Sequence, residues 1–199
     1  PGTQLVFLYL YYAENTGSVN LTQIAKALSL SKATCTRAIN DLSASGLISQ
    51  TAEGTNKWIT TAYTKSELLE KAYGRLKTPV DRILYVKGTA QIEHPIASGI
   101  RALARQSMIG VNDQDGAIAI SKKEAAKIPA EDICTKQYFE DFGGAVIEVW
   151  SYDPTILERD GCVDDISLLL SMDNDPNERV QTCLDEIRQK HGLPIKEEE

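Results

Sequence analysis

Residues 21–48 read LTQIAKALSLSKATCTRAINDLSASGLI, and their pattern predicts two short helices separated by a tight break at Ser29-Leu30. Apolar residues recur at helical spacing on both sides of this break. They are Ile24, Ala25 and Leu28 before it, and Cys35, Ala38, Ile39 and Leu42 after it. Asn20 or Thr22 can cap the first helix and Ser31 the second, which Gly46 ends. The stretch therefore predicts a helix-turn-helix.

The flanking residues extend this motif to a winged helix-turn-helix. Leu47–Thr51 and Lys57–Thr61 are β-prone runs around the turn-like tetrapeptide 53–56, which predicts a hairpin. An apolar helix is expected over Leu5–Ala13, ended by a glycine cap within residues 14–17, and an amphipathic helix over Thr64–Leu76. We place the domain boundary after residue 78, at Lys77-Thr78-Pro79.

The solvent-facing side of the second predicted helix suits a nucleic-acid groove. It carries hydroxyls, an amide and two cations, namely Ser31, Lys32, Thr34, Thr36, Arg37 and Asn40. Arginine or lysine can donate to guanine O6 and N7, asparagine can pair with adenine, and hydroxyl groups reach phosphate. This face therefore predicts DNA binding, with Arg37 as the leading base reader.

The stretch 21–48 resembles the DNA-binding domain of MarR-type winged-helix transcriptional regulators, over about residues 5–76. The resemblance implies a recognition helix in the major groove and a wing on an adjacent minor groove or the backbone. Cys35 takes a position that a branched apolar residue usually fills. The residues expected at DNA are Ser31, Lys32, Ala33, Thr34, Thr36, Arg37 and Asn40 on the helix, and Thr55, Asn56 and Lys57 on the wing.

Two features depart from the MarR pattern. The predicted wing tip lacks an arginine, which leaves Lys57 as its only cation, and outer dimerisation helices are not obvious. These departures affect the usual homodimer more than DNA binding, and a homodimer is one alternative for the assembly. For the motif itself, the alternative to DNA binding is a winged helix that binds only proteins.

The second half differs from the first in charge. Residues 1–78 hold eight basic and five acidic side chains, whereas residues 79–199 hold thirteen and twenty-three. We predict an α+β chain with a DNA-binding domain at 1–78 and an acidic α+β domain at 79–199 for an effector, dimerisation or a partner. Strands are expected at Ile83–Lys87, Ala117–Ile120 and Ala145–Tyr152, the second entered by a turn at 112–116. Helices are expected at Ile96–Met108, at 122–128 after a capping box at Ser121, at Val163–Met172 and at Pro176–Lys190 capped by Asp175.

Parts of this second half resemble the C-terminal domains of AbiE-like abortive-infection antitoxins. The resemblance rests on Ala97–Ile109, Val149–Pro154 and Val163–Ile187. It implies an autorepressor that also holds a nucleotidyltransferase-type toxin. An effector-controlled repressor is the alternative, and it would need an apolar cavity in the second domain.

Other functions find less support. Residues 173–177 place alternate oxygen ligands like a calcium loop, but Glu178 stands where that loop needs glycine and Leu184 where it needs a carboxylate. Neither a phosphate loop nor a recognisable catalytic motif occurs around His94 or His191, so we expect no enzyme, cofactor or metal. Burial of Cys35 on an apolar helix face would raise its pKa and suppress redox sensing.

The composition is that of an ordinary globular protein, with 42% hydrophobic and 25% charged residues and a net charge of −7. The longest apolar run, Leu5–Ala13, is too short to span a bilayer. The four cysteines are scattered, so neither a disulfide framework nor a zinc site is expected. These features predict a cytoplasmic protein.

Overall fold

The computed structural model describes residues 1–13, 19–53, 56–88, 91–110 and 116–196. The chain divides into two compact units. The N-terminal unit comprises Pro1–Leu76 and Gln189–Ile195, and the second unit comprises Lys77–Arg188 and Lys196–Glu199. Each unit combines helices with a sheet of its own, which confirms the predicted α+β class.

The N-terminal unit is built as a winged helix. Its elements are α1 (Gly2–Tyr12), β1 (Val19–Asn20), α2 (Leu21–Ala27), α3 (Lys32–Ala44), β2 (Ser49–Glu53), β3 (Asn56–Thr60) and α4 (Lys65–Tyr73). The strands form an antiparallel sheet in the order β1-β3-β2, and α1 packs against α3 and α4. The glycine cap predicted within 14–17 lies outside the described residues.

Side-chain caps set the helix starts of this unit. Asn20 Oδ1 accepts the Thr22 N–H at 2.7 Å, and Ser31 Oγ accepts the Thr34 N–H at 3.1 Å. At α4 the reciprocal pair of Thr64 and Glu67 forms a capping box. Each cap satisfies a backbone donor that has no partner inside the helix. The predicted caps at Asn20 and Ser31 are confirmed.

Gly46 ends α3 and turns the chain into the wing. Its φ is +74°, its N–H donates to the Ser43 carbonyl at 3.0 Å, and the Leu47 N–H donates to the Leu42 carbonyl at 3.1 Å. This pair of bonds is a Schellman motif, in which glycine avoids the cost of a left-handed backbone. Leu42 and Leu47 are both buried, so the motif also anchors the start of the wing in the core.

We expect Gly46→Ala to destabilise the N-terminal unit by about 1 kcal/mol. A methyl group at this position would meet no atom within 4 Å, so the cost would come from the backbone conformation alone. Urea unfolding followed by circular dichroism measures the change. Gly74→Ala is the matched control, because Gly74 also faces open space but has a φ of −63°. Equal destabilisation by both variants would contradict the view that the left-handed backbone at Gly46 is the cause of the cost.

The C-terminal segment 189–195 belongs to the N-terminal unit, whereas we predict residues 79–199 as one continuous domain. The Tyr11 hydroxyl lies 2.7 Å from His191 Nδ1, and Leu193 is buried. A Cβ on Gly192 would lie 2.2 Å from Ser66 Oγ. This segment is distant in sequence from the rest of the unit and joins it through tertiary packing, so local sequence patterns do not predict its place.

The second unit contains a mixed five-stranded sheet in the order β5-β6-β8-β4-β7. Strands β6 and β8 pair in parallel and all other neighbours pair antiparallel. Its elements are β4 (Val80–Val86), β5 (Ile96–Ala97), α5 (Gly99–Gln106), β6 (Ala117–Ser121), α6 (Lys122–Ala125), β7 (Ile133–Cys134), α7 (Lys136–Phe142), β8 (Ala145–Trp150), α8 (Asp165–Met172) and α9 (Glu178–Lys190).

The two faces of the central strand β8 have different surroundings. Ile147 and Val149 point to one face, where they cluster with Val86, Ile120 and Ala125. Because side chains alternate along a strand, residues 146, 148 and 150 point to the other face. On that side α5 packs against α8 and β6.

Three predictions for this unit are wrong. The helix predicted over Ile96–Met108 begins only at Gly99. Ile96 and Ala97 form strand β5 instead, because Ser98 donates its N–H to the Ala117 carbonyl and holds these two residues in the sheet. The helix ends at Gln106, and Met108 is fully exposed. Helix α9 begins at Glu178, so Asp175 is not its N-cap. Asp175 instead accepts the Asn177 N–H at 2.9 Å.

Arg188 of α9 forms a buried ion-pair cluster with Asp173 and Asp185. Each carboxylate lies 2.6 Å from a guanidinium nitrogen, and the Arg188 side chain is only 3% exposed. Burial alone would lower the pKa of Arg188, but its hydrogen bonds and charge interactions with Asp185 and Asp173 outweigh burial and raise it. The guanidinium is therefore charged, and Asp173 acts as an ion-pair partner.

None of the helices in the described parts of the chain is long and apolar enough to cross a membrane. Within the same residues, no group of three histidine, cysteine or acidic side chains gathers to hold a metal ion.

Candidate nucleic-acid interface

Helix α3 presents the predicted polar face to solvent. Cys35, Ala38, Ile39 and Leu42 are buried on its inner side. On the outer side Ser31, Lys32, Ala33, Arg37 and Asn40 are exposed, and Thr34 and Thr36 are half-buried. The structure therefore brings the helical residues that sequence predicts for DNA onto one accessible surface, which we call the α3 face.

The start of the α3 face is held by hydroxyl groups. Ser31 Oγ lies 2.9 Å from Thr34 Oγ1, in addition to accepting the Thr34 N–H. Both hydroxyls therefore order the first turn, beside the cation of Lys32. A helix N-terminus with free backbone N–H groups and a nearby cation favours an anion such as phosphate.

Arg37 lies one turn further along the helix. Its Nε donates to the Ala33 carbonyl at 3.4 Å, which directs the side chain along the helix and leaves the terminal nitrogens exposed. Asp41 follows one turn later, but its carboxylate accepts the Thr3 hydroxyl at 3.1 Å. Among the side chains that the structure describes, no carboxylate pairs with Arg37, Lys32 or Lys57 within 4.0 Å. The cations of the α3 face and the wing are therefore available to a polyanion.

Asn40 contacts Gln50, a residue that no sequence pattern indicates for the α3 face. Gln50 Nε2 on β2 donates to Asn40 Oδ1 at 3.2 Å. This bond joins the end of the α3 face to the wing and orients the Asn40 amide. Because an amide oxygen has two lone pairs and the Asn40 amide nitrogen keeps both of its N–H groups, this bond is compatible with bidentate pairing of Asn40 with adenine. No sequence pattern relates residues 40 and 50, because their proximity depends on the strand register.

Lys57 is the cation that the wing hairpin presents among its described residues. Lys57 is exposed on β3, opposite Ala52 of β2. Asn56 begins β3, and only its backbone is described, whereas Thr55 lies outside the described residues. Of the three wing residues predicted for DNA, Lys57 is therefore the one whose exposure the structure supports.

Cys35 lies beneath the α3 face and is fully buried. Burial raises the pKa of its thiol, as the sequence predicts. A thiol kept protonated is a poor nucleophile toward oxidants. Cys35 is therefore a packing residue between α2 and α3, where its sulfur lies 3.9 Å from the Leu21 carbonyl.

The comparisons with known proteins agree with this geometry. Residues 3–57 match the model of the MarR family. These residues are therefore similar to the winged-helix domain of that family. The match covers α1 through the start of β3, which includes the whole α3 face. No curated protein and no solved structure matches the chain.

The MarR-type winged helix is a domain of transcriptional regulators, and the matched residues make up about a quarter of this chain. The match ends at residue 57, before the second unit begins. The resemblance of that unit to AbiE-like C-terminal domains therefore stays a prediction, as does a toxin partner. The pairing of two chains into a homodimer is also untested.

Proposed function

We propose that this chain is a transcriptional repressor that recognises a specific DNA sequence through the α3 face. The observation that carries the proposal is an exposed helix face with unpaired cations and polar side chains, on a MarR-type winged helix. The major groove of B-DNA, about 12 Å wide, admits one α-helix. Helix α3 has the polar outer surface and the buried inner surface that such insertion requires.

Within this proposal the cations have different tasks. Arg37 lies in the middle of the α3 face with its terminal nitrogens free, so it is placed to donate to a guanine edge. We assign Lys32 at the helix start and Lys57 on the wing to phosphate contacts, because both are exposed cations outside the middle of the α3 face. Asn40 and the hydroxyl residues complete the polar surface.

The test is fluorescence anisotropy with the duplex upstream of the protein's own gene and a scrambled duplex, at two salt concentrations. A repressor should bind the upstream duplex more tightly than the scrambled one, with affinity that falls as salt rises because phosphate binding releases counterions. The titration also counts the chains bound per duplex. Absence of binding to either duplex by the folded chain would overturn the proposal and favour a winged helix that binds only protein.

Replacing Lys57 by alanine should weaken binding of the upstream and scrambled duplexes by the same factor. A phosphate contact carries no sequence information, and its loss should reduce the slope of log affinity against log salt by about 1. Anisotropy titrations over several salt concentrations measure this slope. Lys65→Ala is the control, because Lys65 is an exposed lysine of the same unit on α4, outside the α3 face and the wing. A loss confined to the upstream duplex would contradict a phosphate contact.

A further inference from the structure

The second unit contains a cavity of about 550 Å³. This volume lies within the range of about 300–1,000 Å³ found for small-molecule sites. Its apolar wall comes from α5, β6, β8 and α8 and includes Ile100, Ala117, Val146 and Leu170. Its acidic residues are Glu148, Asp173 and Asp175, and the described lining includes no lysine, arginine or histidine.

Glu148 of β8 is the buried carboxylate of this cavity, with 9% of the residue exposed. Its Oε2 accepts hydrogen bonds from Ser98 Oγ and, at 3.0 Å, from Trp150 Nε1. Both donors hold the same oxygen. The other oxygen, Oε1, lies beside Gly99, where an added Cβ would be 3.7 Å away. The carboxylate is therefore oriented by two neutral donors, and the absent side chain at residue 99 leaves room next to Oε1.

The other two acids already have partners. Asp173 pairs with Arg188 at 2.6 Å and with Lys196 at 3.3 Å, and Asp175 accepts the Asn177 N–H. Glu148 has no ion pair among the described residues. A buried carboxylate without a counter-charge is costly unless a cation joins it. Glu148 is thus the acidic side chain of the cavity that no described basic side chain pairs with.

We infer that this cavity binds a small organic cation, with the ligand's ammonium group on Glu148 Oε1 and its hydrocarbon part against Ile100, Val146 and Leu170. The acidic lining disfavours an anion. An ammonium group needs one carboxylate and hydrogen-bond acceptors, whereas a metal ion needs several converging ligands. The inference concerns the second unit alone and does not depend on DNA binding by the α3 face.

The test uses three probes of similar size on the full chain: benzylamine, benzyl alcohol and benzoate. Isothermal titration calorimetry should show saturable binding of benzylamine with one site, and weaker binding of the other two. Glu148→Gln should weaken benzylamine binding about tenfold or more, because a charge-assisted hydrogen bond is lost while the shape is kept. Glu140→Gln is the control, since it removes one exposed carboxylate of α7 in the same unit.

A second measurement locates the bound probe. The indole N–H signal of Trp150, assigned in a ¹⁵N spectrum with Trp150→Phe, should shift with benzylamine because this group donates to Glu148. This measurement needs no Glu148 variant, so it tests binding of benzylamine beside Glu148 even if the Glu148→Gln variant is unfolded. Equal binding of the three probes, unchanged affinity in a folded Glu148→Gln, or no saturable binding of benzylamine at millimolar concentration would each overturn the inference.

Discussion

Arg37→Ala should weaken binding of the upstream duplex by about 1–3 kcal/mol, which corresponds to a loss of roughly 5- to 150-fold in affinity. The reason is the position of Arg37, whose terminal nitrogens are exposed in the middle of the α3 face and form no ion pair within the described side chains. Under the proposed function, bidentate donation to guanine is lost with the side chain. Anisotropy titrations of the wild type and the variant on upstream and scrambled duplexes measure the effect.

The expected signature is the difference between the two duplexes. Loss of a base contact should reduce affinity for the upstream duplex more than for the scrambled one, so that the specificity ratio falls. Arg75→Ala removes the same charge from an exposed site beyond α4 and should leave that ratio unchanged. An equal loss on both duplexes would assign Arg37 to phosphate binding instead of base recognition.

The parts of the winged helix that sequence predicts best are those determined by neighbouring residues. Asn20 and Ser31 cap helices, as the sequence predicts, because their side-chain oxygens reach backbone N–H groups two or three residues ahead. The buried stripe of α3 follows from helical spacing alone. The exposed positions of the α3 face are the remainder of that same helix, so they too can be predicted without tertiary information.

Contacts between distant residues could not be predicted in this way. The two-residue strand β1 is defined by its pairing with β3, and β7 by its pairing with β4. The bond between Asn40 and Gln50 depends on the geometry of the wing, and the packing of Leu193 depends on where the end of the chain lies. Short strands of this kind have too few residues to show alternation, so their hydrogen bonds are their only signal.

The same limit explains why sequence patterns miss the cavity of the second unit. Glu148 lies in a β-prone run, where an isolated acid is ordinarily an exposed side chain. Its burial results from the cover that α5 and α8 provide and from donors at Ser98 and Trp150. Burial therefore makes this carboxylate a candidate ligand-binding group, which its position in the sequence does not indicate.

Arg188→Met should destabilise the second unit by about 2–3 kcal/mol. Removing one member of a buried ion cluster costs about 3–5 kcal/mol when the remaining charges are fully enclosed. Asp173 and Asp185 are partly exposed, at 35% and 24% of their side chains, and water compensates part of that loss. Methionine keeps most of the hydrophobic stem, so the variant removes mainly the charge of Arg188 and its hydrogen bonds to the two carboxylates. Urea unfolding in a Trp58→Phe background, where Trp150 fluorescence reports the second unit, measures the effect.

Lys136→Met provides the comparison for this prediction. Lys136 pairs with Glu140 at 3.4 Å on the same unit, but both side chains are at least half exposed. A solvated pair of this kind contributes about 0.3–0.5 kcal/mol, since water replaces either partner at little cost. A difference of several-fold between the two variants is therefore expected from burial alone. If Arg188→Met costs no more than Lys136→Met, then α9 is held by its apolar residues Val180, Leu184 and Ile187, and the ion cluster contributes little to stability.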